Sequence, residues 1–189
     1  MLFLLKLLRR QGVSTMDPLA VSMTGVRMGE RFLQIGCDDR SLLAGLAAKV
    51  GLSGTAAVAT FDDAAAVRAR AMGAKVGALI DVQPVAAGKL PFADDYVDMI
   101  VIDDTRGAFA ARAGDERISC LREARRVVRP GGRIEVVEGM GGGGLFRNPI
   151  TRTAGYDLSR DLGEAGFKPV RVLAEKDGFR FVEGLRAAV

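Results

Sequence analysis

Residues 97–138, VDMIVIDDTRGAFAARAGDERISCLREARRVVRPGGRIEVVE, hold a strand, a helix and a second strand in succession. Residues 97–102 are apolar almost throughout, which is typical of a parallel strand buried on both faces. Residues 115–128 carry apolar side chains along one face, which predicts an amphipathic helix. The sequence RPGG ends this helix in a proline–glycine turn, and residues 133–138 form the next predicted strand.

The same alternation continues on both sides of this stretch. Upstream, the pattern predicts strands at 31–36, 55–60 and 75–80, with helices at 16–24, 41–50 and 62–72. Downstream, it predicts a helix at 157–165 and strands at 168–174 and 178–184. Alternating strands and helices indicate a parallel sheet covered on both faces, and two consecutive strands at the end form a hairpin. We therefore predict one α/β domain, residues 16–189, with a Rossmann-like, doubly wound, mostly parallel seven-stranded sheet and an antiparallel C-terminal edge hairpin.

Residues 1–15 form a separate predicted leader helix, beginning with MLFLLKLLRR. Its apolar run is shorter than the roughly 20 residues that span a bilayer. Its positive charges follow the run instead of preceding it, unlike those of a secretory signal. Two interpretations stay open: residues 1–10 pack on the domain or on a partner protein, or they lie at a membrane surface with Lys6, Arg9 and Arg10 at the headgroups.

Composition excludes several kinds of chemistry. The chain has no histidine, so Ser-His-Asp and Cys-His nucleophiles and His-ligated zinc are excluded, and we expect no metal site. The net charge is +4, but the arginines are scattered and only 6% of residues are aromatic, which disfavours nucleic acid as a partner. Cys37 and Cys120 form no CxxC pair and are expected to be reduced thiols in a cytoplasmic protein.

Four segments resemble, in order, the class I S-adenosylmethionine (SAM) dependent methyltransferases, in the small-molecule branch that includes ubiquinone and menaquinone methyltransferases. They are GERFLQIGC at 29–37, LPFADDYVD at 90–98, LREARRVVRPGGR at 121–133 and EAGF at 164–167. The resemblance implies SAM as the cofactor and methyl transfer to a small-molecule acceptor. It places the cofactor at the carboxyl ends of the first strands, as open α/β sheets do in general.

The resemblance also implies a set of cofactor-binding residues: Gln34, Gly36, Cys37, Asp38, Asp62, Asp81 and Val82. The chain departs from the family pattern in the glycine loop, where Asp38, Asp39 and Arg40 replace glycine, a small residue and glycine. Gln34 replaces the usual acid of the first strand. A side chain at Asp38 is expected to enter the space that the cofactor needs, and Arg40 could offset its charge.

The ribose-binding acid of the family falls at Thr60, whose hydroxyl cannot accept two hydrogen bonds as a carboxylate does. Asp62 could replace it, or Asp62 caps the following helix. Asp81 matches the acid that contacts adenine after the third strand.

Asp103 and Asp104 are the candidate catalytic residues, in the predicted loop after the fourth strand. They could orient a hydroxyl substrate or act as a base, or they could cap the following turn. Residues 141–149, which open with four glycines, form either a lid or a connector. Two hypotheses follow: the chain is a SAM-dependent methyltransferase, or it is a catalytically inactive relative that serves as a binding or assembly module.

Overall fold

The computed structural model describes residues 18–85, 88–141, 150 and 152–188. Helices and strands alternate through these residues as follows: α1 Pro18–Met23, β1 Arg31–Ile35, α2 Arg40–Val50, β2 Thr55–Thr60, α3 Asp63–Val76, β3 Ile80–Pro84, β4 Val97–Asp104, α4 Gly114–Val127, β5 Val128–Gly139, α5 Leu158–Glu164, β6 Val170–Lys176 and β7 Phe179–Leu185. The predicted leader helix, residues 1–15, lies outside the described residues, as does nearly all of the predicted lid. None of the described helices has the length and hydropathy that a membrane span needs.

The seven strands form one sheet in the order β3-β2-β1-β4-β5-β7-β6. β1 to β5 run parallel, and β7 is antiparallel to both β5 and β6. The predicted fold class, a mostly parallel Rossmann-like sheet with an antiparallel C-terminal hairpin, is confirmed. The chain order reverses direction between β1 and β4, and open α/β sheets bind ligands beside such a reversal.

Two apolar clusters cover the two faces of the sheet. On β4, Ile100 and Ile102 belong to the cluster under α4 and α5, whereas Met99 and Val101 belong to the cluster under α2 and α3. All four side chains are fully buried. The apolar run of β4 is therefore explained by its central position, because both faces of the strand are covered.

The prediction of the third strand was wrong in its boundaries. The pattern placed residues 75–80 in a strand, but α3 continues to Val76 and β3 begins at Ile80. The helix ends at Gly77, which has the left-handed φ of 66° and whose N–H donates to the carbonyl of Gly73. Gly73 does not end the helix. A Cβ there would lie 3.2 Å from the Ala78 carbonyl oxygen, so Gly73 serves close packing against the chain that leads into β3.

Two other boundaries differ for reasons of strand pairing. β4 continues to Asp104, which was predicted to lie in a loop, because its ladder with β5 extends to the pair Asp104 and Glu138. β5 begins at Val128, five residues before the predicted start, because Val128 pairs with Val97 ahead of a register shift. Asp103 and Asp104 therefore lie on the sheet itself, at its carboxyl edge.

A buried ion pair joins α4 to α5. Arg117 Nε donates to Asp161 Oδ2 at 2.9 Å, and the two side chains are 2% and 1% exposed. Arg117 also donates to the Arg112 carbonyl and to Thr153 Oγ1. Since a buried guanidinium is unfavourable without a partner, these bonds hold the two helices and the segment before α5 together.

We expect Asp161→Ala to lower the free energy of unfolding by about 3–5 kcal/mol, because the variant leaves Arg117 buried without its carboxylate. Urea denaturation followed by circular dichroism measures the change. Asp94→Ala is the control, because Asp94 pairs with Arg126 but is 74% exposed, and its loss should be about 0–1 kcal/mol. Equal losses in the two variants would contradict this account of the α4–α5 contact.

Candidate functional site

The turn after β1 needs glycine at Gly36. This residue has a φ of +82°, and a Cβ built on it would lie 3.1 Å from the carbonyl oxygen of Asp103. Its N–H donates to the Ala59 carbonyl at 2.8 Å. The chain therefore leaves β1 between β2 and β4 with no room for a side chain, which brings the loop at 37–39 close to the end of β4.

Asp103 connects this loop to β4. Its Oδ2 accepts hydrogen bonds from the Asp39 N–H at 2.8 Å and from Gln34 Nε2 at 3.5 Å, and its Oδ1 accepts one from Thr105 Oγ1 at 2.7 Å. The side chain is 1% exposed. Burial, together with the nearby carboxylate of Asp38, raises the pKa of Asp103 to about 7.

Gln34 takes the position of the family's acid without reproducing its charge. Its Nε2 donates to the Gly36 carbonyl at 3.0 Å. Its Oε1 is buried and has no hydrogen-bond partner among the described residues. An unpaired buried oxygen is unfavourable, and it leaves one acceptor open to a donor on a ligand.

Asp38 enters the crevice, as predicted, and crosses it. Its Oδ2 accepts hydrogen bonds from the N–H groups of Arg106 and Ala108, at 3.2 and 3.3 Å, in the loop after β4. Burial raises the pKa of Asp38, and these two bonds partly oppose the rise. Arg40, which was expected to offset this charge, is exposed and forms no ion pair with any described residue.

Cys37 and Asp39 serve the turn itself. Asp39 is the N-cap of α2 and accepts a hydrogen bond from the Ser41 N–H at 2.7 Å. The Cys37 carbonyl accepts one from Arg68 Nε at 3.1 Å. Burial raises the pKa of the Cys37 thiol to about 12, so the thiol is protonated at neutral pH and is not a nucleophile.

At the end of β2, Thr60 is 1% exposed and its hydroxyl has no hydrogen-bond partner in the described part of the chain. Asp62, the proposed substitute for the ribose acid, accepts a hydrogen bond from the Ala65 N–H at 2.7 Å and is the N-cap of α3. The capping interpretation of Asp62 is confirmed.

Asp81 and Val82 are not brought together with these residues. Asp81 is the second residue of β3 and pairs with Ala57, three positions before the pair of Thr60 and Pro84 that ends the ladder. Three strand positions correspond to about 10 Å. The Asp81 carboxylate accepts a hydrogen bond from Gln83 Nε2 at 2.7 Å. The earlier placement of Asp81 after the strand followed from the wrong boundary of β3.

A cavity of about 370 Å³ opens beside the ends of β2 and β3, next to the first turns of α4. Its lining comprises Phe61, Val85, Gly88, Arg112, Asp115, Glu116, Ser119 and Cys120. The Arg112 guanidinium lies over the Phe61 ring, 4.2 Å from its centroid, and pairs with Glu116 at 3.1 Å. The sequence analysis missed Phe61 and Arg112, although an aromatic residue directly after a strand that ends at a crevice was a usable signal.

Asp104 organises the loop after β4. Its Oδ1 accepts hydrogen bonds from the Phe109 and Ala110 N–H groups, at 2.8 and 3.1 Å, so the turn-capping interpretation is confirmed. Its Oδ2 is buried and has no hydrogen-bond partner among the described residues. Burial raises the pKa of Asp104 to about 7. Within residues 18–85, 88–141, 150 and 152–188, no cluster of His, Cys, Asp or Glu could hold a metal ion.

The raised pKa values of Asp103 and Asp104 predict a pH dependence of stability. Both carboxyls bind a proton more tightly in the folded chain than at their ordinary pKa of 3.8, so the free energy of unfolding falls as the pH rises from about 4 to 7. Asp104→Asn keeps an oxygen for the two N–H donors and removes one titration. We expect it to make the decline shallower by up to about 1.4 kcal/mol per pH unit. Urea denaturation between pH 4 and pH 8 tests this, and parallel profiles for variant and parent would contradict it.

Residues 16–141 match the ubiE/COQ5 methyltransferase family. The chain is similar to the ubiquinone/menaquinone biosynthesis C-methyltransferase UbiE of Chromobacterium violaceum, with 30% identity over 118 residues, 62% of this chain and 46% of that protein. UbiE of Pseudomonas putida is 31% identical over 120 residues, 62% of this chain and 45% of that protein. The chain thus spans about half the length of the curated relatives it matches.

Solved structures show the same fold. A SAM-dependent methyltransferase from Aquifex aeolicus aligns with a TM-score of 0.74 and 20% identity over 92% of this chain and 91% of that chain. PigF, solved with S-adenosylhomocysteine (SAH), aligns with a TM-score of 0.61 and 20% identity over 82% of this chain and 50% of that chain. The family match extends from the segment before β1 to the end of β5 and so includes the whole crevice: the chain belongs to the ubiE/COQ5 methyltransferase family.

Proposed function

We propose that the chain is a SAM-dependent methyltransferase that acts on a small-molecule acceptor. Family membership supports this proposal. The observation that carries it is the crevice at the β1–β4 reversal, where the unpaired Thr60 hydroxyl lies next to Phe61 and a cavity of about 370 Å³.

The residues of this cavity fit an adenosine group. Phe61 offers an aromatic face on which a base stacks, and Val85 adds an apolar side chain from the end of β3. The Thr60 hydroxyl bonds one ribose hydroxyl, whereas a carboxylate would bond two. A base on the same face of Phe61 replaces the Arg112 guanidinium, whose cation–π contact is worth about 0.5–1 kcal/mol at an exposed site.

The charges of the crevice fit the other half of SAM, which carries an ammonium and a sulfonium as well as one carboxylate. Asp38 and Asp103 lie at the ends of β1 and β4, and no described residue forms an ion pair with either. Negative charge here favours the two cationic groups. Asp38 thus replaces the acid that is absent at Gln34. Bound SAM supplies an activated methyl group, and these carboxylates orient its cationic end.

Asp38 is also the observation that favours the second candidate function, an inactive binding or assembly module. Its bonds to the N–H groups of Arg106 and Ala108 cross the crevice, and a ligand must share this space or break them. Asp62 is engaged as a helix cap and does not replace the ribose acid. Binding of the cofactor decides between the two candidates.

We further propose a cytoplasmic location and no nucleic-acid partner. The chain has a net charge of +4 without a continuous basic stripe, and such a stripe is the usual mark of a nucleic-acid surface. Residues 1–10 are proposed as the contact with a membrane surface or another protein.

Calorimetric titration with SAM and SAH tests the proposed function. We expect micromolar dissociation constants for the parent chain and roughly tenfold weaker binding for Phe61→Ala, because the variant removes the stacking face. Val67→Ala is the control, since Val67 is an exposed apolar residue on α3. An absence of saturable binding up to millimolar cofactor would refute the methyltransferase proposal and favour the binding module.

A further inference from the structure

A second cavity, of about 390 Å³, lies at the carboxyl end of β5 and has no place in the cofactor crevice. Its lining comprises Glu138, Met140, Arg152, Tyr156, Asp157, Leu158 and Arg180. It opens on the face of the sheet covered by α4 and α5, because Leu158 belongs to the apolar cluster of that face. Glu138 pairs with Asp104 across the β4–β5 ladder, so the two cavities flank the end of β4.

Glu138 is the buried polar group of this cavity, with a side chain that is 2% exposed. Its Oε1 accepts a hydrogen bond from Arg152 Nη2 at 3.3 Å. Its Oε2 accepts no hydrogen bond from the described residues, although Arg180 Nη1 lies 3.6 Å away. A buried carboxylate oxygen without a donor is unfavourable, which points to a donor that enters from the cavity.

Tyr156 presents a second unpaired group at the same place. Its hydroxyl is buried and has no hydrogen-bond partner in the described ranges. The guanidinium groups of Arg117 and Arg152 lie over its ring, 4.9 and 5.7 Å from the centroid, and hold the ring in position. Burial and the carboxylate of Glu138 raise the pKa of Tyr156 above its ordinary value, so the hydroxyl stays protonated beside Glu138.

The charges around the cavity nearly cancel. Arg152 and Arg180 both pair with Glu138, and Arg180 Nε lies 3.3 Å from Glu175. A cationic ligand would meet two guanidinium groups, and an anionic ligand would meet the open oxygen of Glu138. A neutral group avoids both repulsions. A hydroxyl is neutral and can donate to Glu138 while it accepts from Tyr156.

We propose that this cavity binds a neutral small molecule through a hydroxyl group, which donates to Glu138 Oε2 and accepts from the Tyr156 hydroxyl. Met140 and Leu158 cover the apolar part of the molecule. The proposal rests on the proposed function only where it makes this molecule the methyl acceptor. The binding itself needs no cofactor, so it is tested separately.

Four probes of similar size separate the chemistries: benzyl alcohol, benzyl methyl ether, benzoate and benzylammonium. Each is titrated into the ¹⁵N-labelled chain without cofactor, and the amide shifts of Met140 and Leu158 report on the cavity. We expect benzyl alcohol to bind at least about tenfold more tightly than the ether, because the ether leaves Glu138 without a donor. Benzoate and benzylammonium should both bind more weakly than the alcohol.

Two variants assign the effect to the named residues. Glu138→Gln and Tyr156→Phe preserve shape and should each reduce the preference for the alcohol over the ether several-fold. Glu175→Gln is the matched control, since Glu175 pairs with Arg180 from an exposed position, and it should keep the preference. Unchanged thermal melting of each variant shows that the fold is intact.

Equal binding of alcohol and ether would overturn the proposal, as would tighter binding of benzoate, which would make the arginines the recognition groups. Shifts absent for all four probes would show a cavity that holds water only and would also overturn it. Either result leaves the calorimetric test of SAM binding unaffected, because no cofactor is present. Conversely, a chain that binds benzyl alcohol but not SAM would retain this site and lose the proposed activity.

Discussion

The fully buried carboxylate of Asp103 connects the two turns that frame the crevice. It accepts hydrogen bonds from the Asp39 N–H in the turn after β1 and from the Thr105 hydroxyl in the turn after β4. Gly36 lets the first turn approach the end of β4 closely enough for these bonds to form. The positions of Asp38 and of the first turn of α2 depend on this connection, because both follow directly from the turn that Asp103 holds.

The crevice retains the backbone geometry of the family and changes its charges. Gln34 and Thr60 are neutral where the family has acids, and both keep a buried oxygen unpaired among the described residues. Asp38 brings a carboxylate into the loop that usually has glycine. Since SAM has two cationic groups and one anionic group, moving an acid by a few residues preserves attraction for its cationic end. The loss at Thr60 is different, because one hydroxyl cannot replace a carboxylate toward two ribose hydroxyls.

The fold was predictable because its signals are local. The apolar run of β4 and the amphipathic face of α4 identified the centre of the sheet, and the hairpin of β6 and β7 followed from two strands without a helix between them. β3 was misplaced because Gly73 looks like a helix end in the sequence, whereas the left-handed residue is Gly77. Only the position of Ile80 against Gly73 distinguishes the two, and that contact is tertiary.

The site was predictable only in part, because its residues meet through the sheet. The intrusion of Asp38 followed from the family pattern, but its partners, the N–H groups of Arg106 and Ala108, lie about 70 residues away in the chain. Arg112 reaches Phe61 across a similar distance in sequence. Glu138 and Tyr156 were not singled out, because a glutamate that ends a strand is usually exposed and here it is buried.

A crystal structure of the chain with SAH tests the central claim most directly. We expect the adenine on the face of Phe61, with Arg112 displaced, and a ribose hydroxyl bonded to Thr60. We also expect the amino group of SAH to lie near Asp38. A structure grown at saturating SAH in which Arg112 remains over Phe61 and Asp38 remains bonded to Arg106 and Ala108, with only water in the cavity, would contradict the claim that this crevice binds the cofactor.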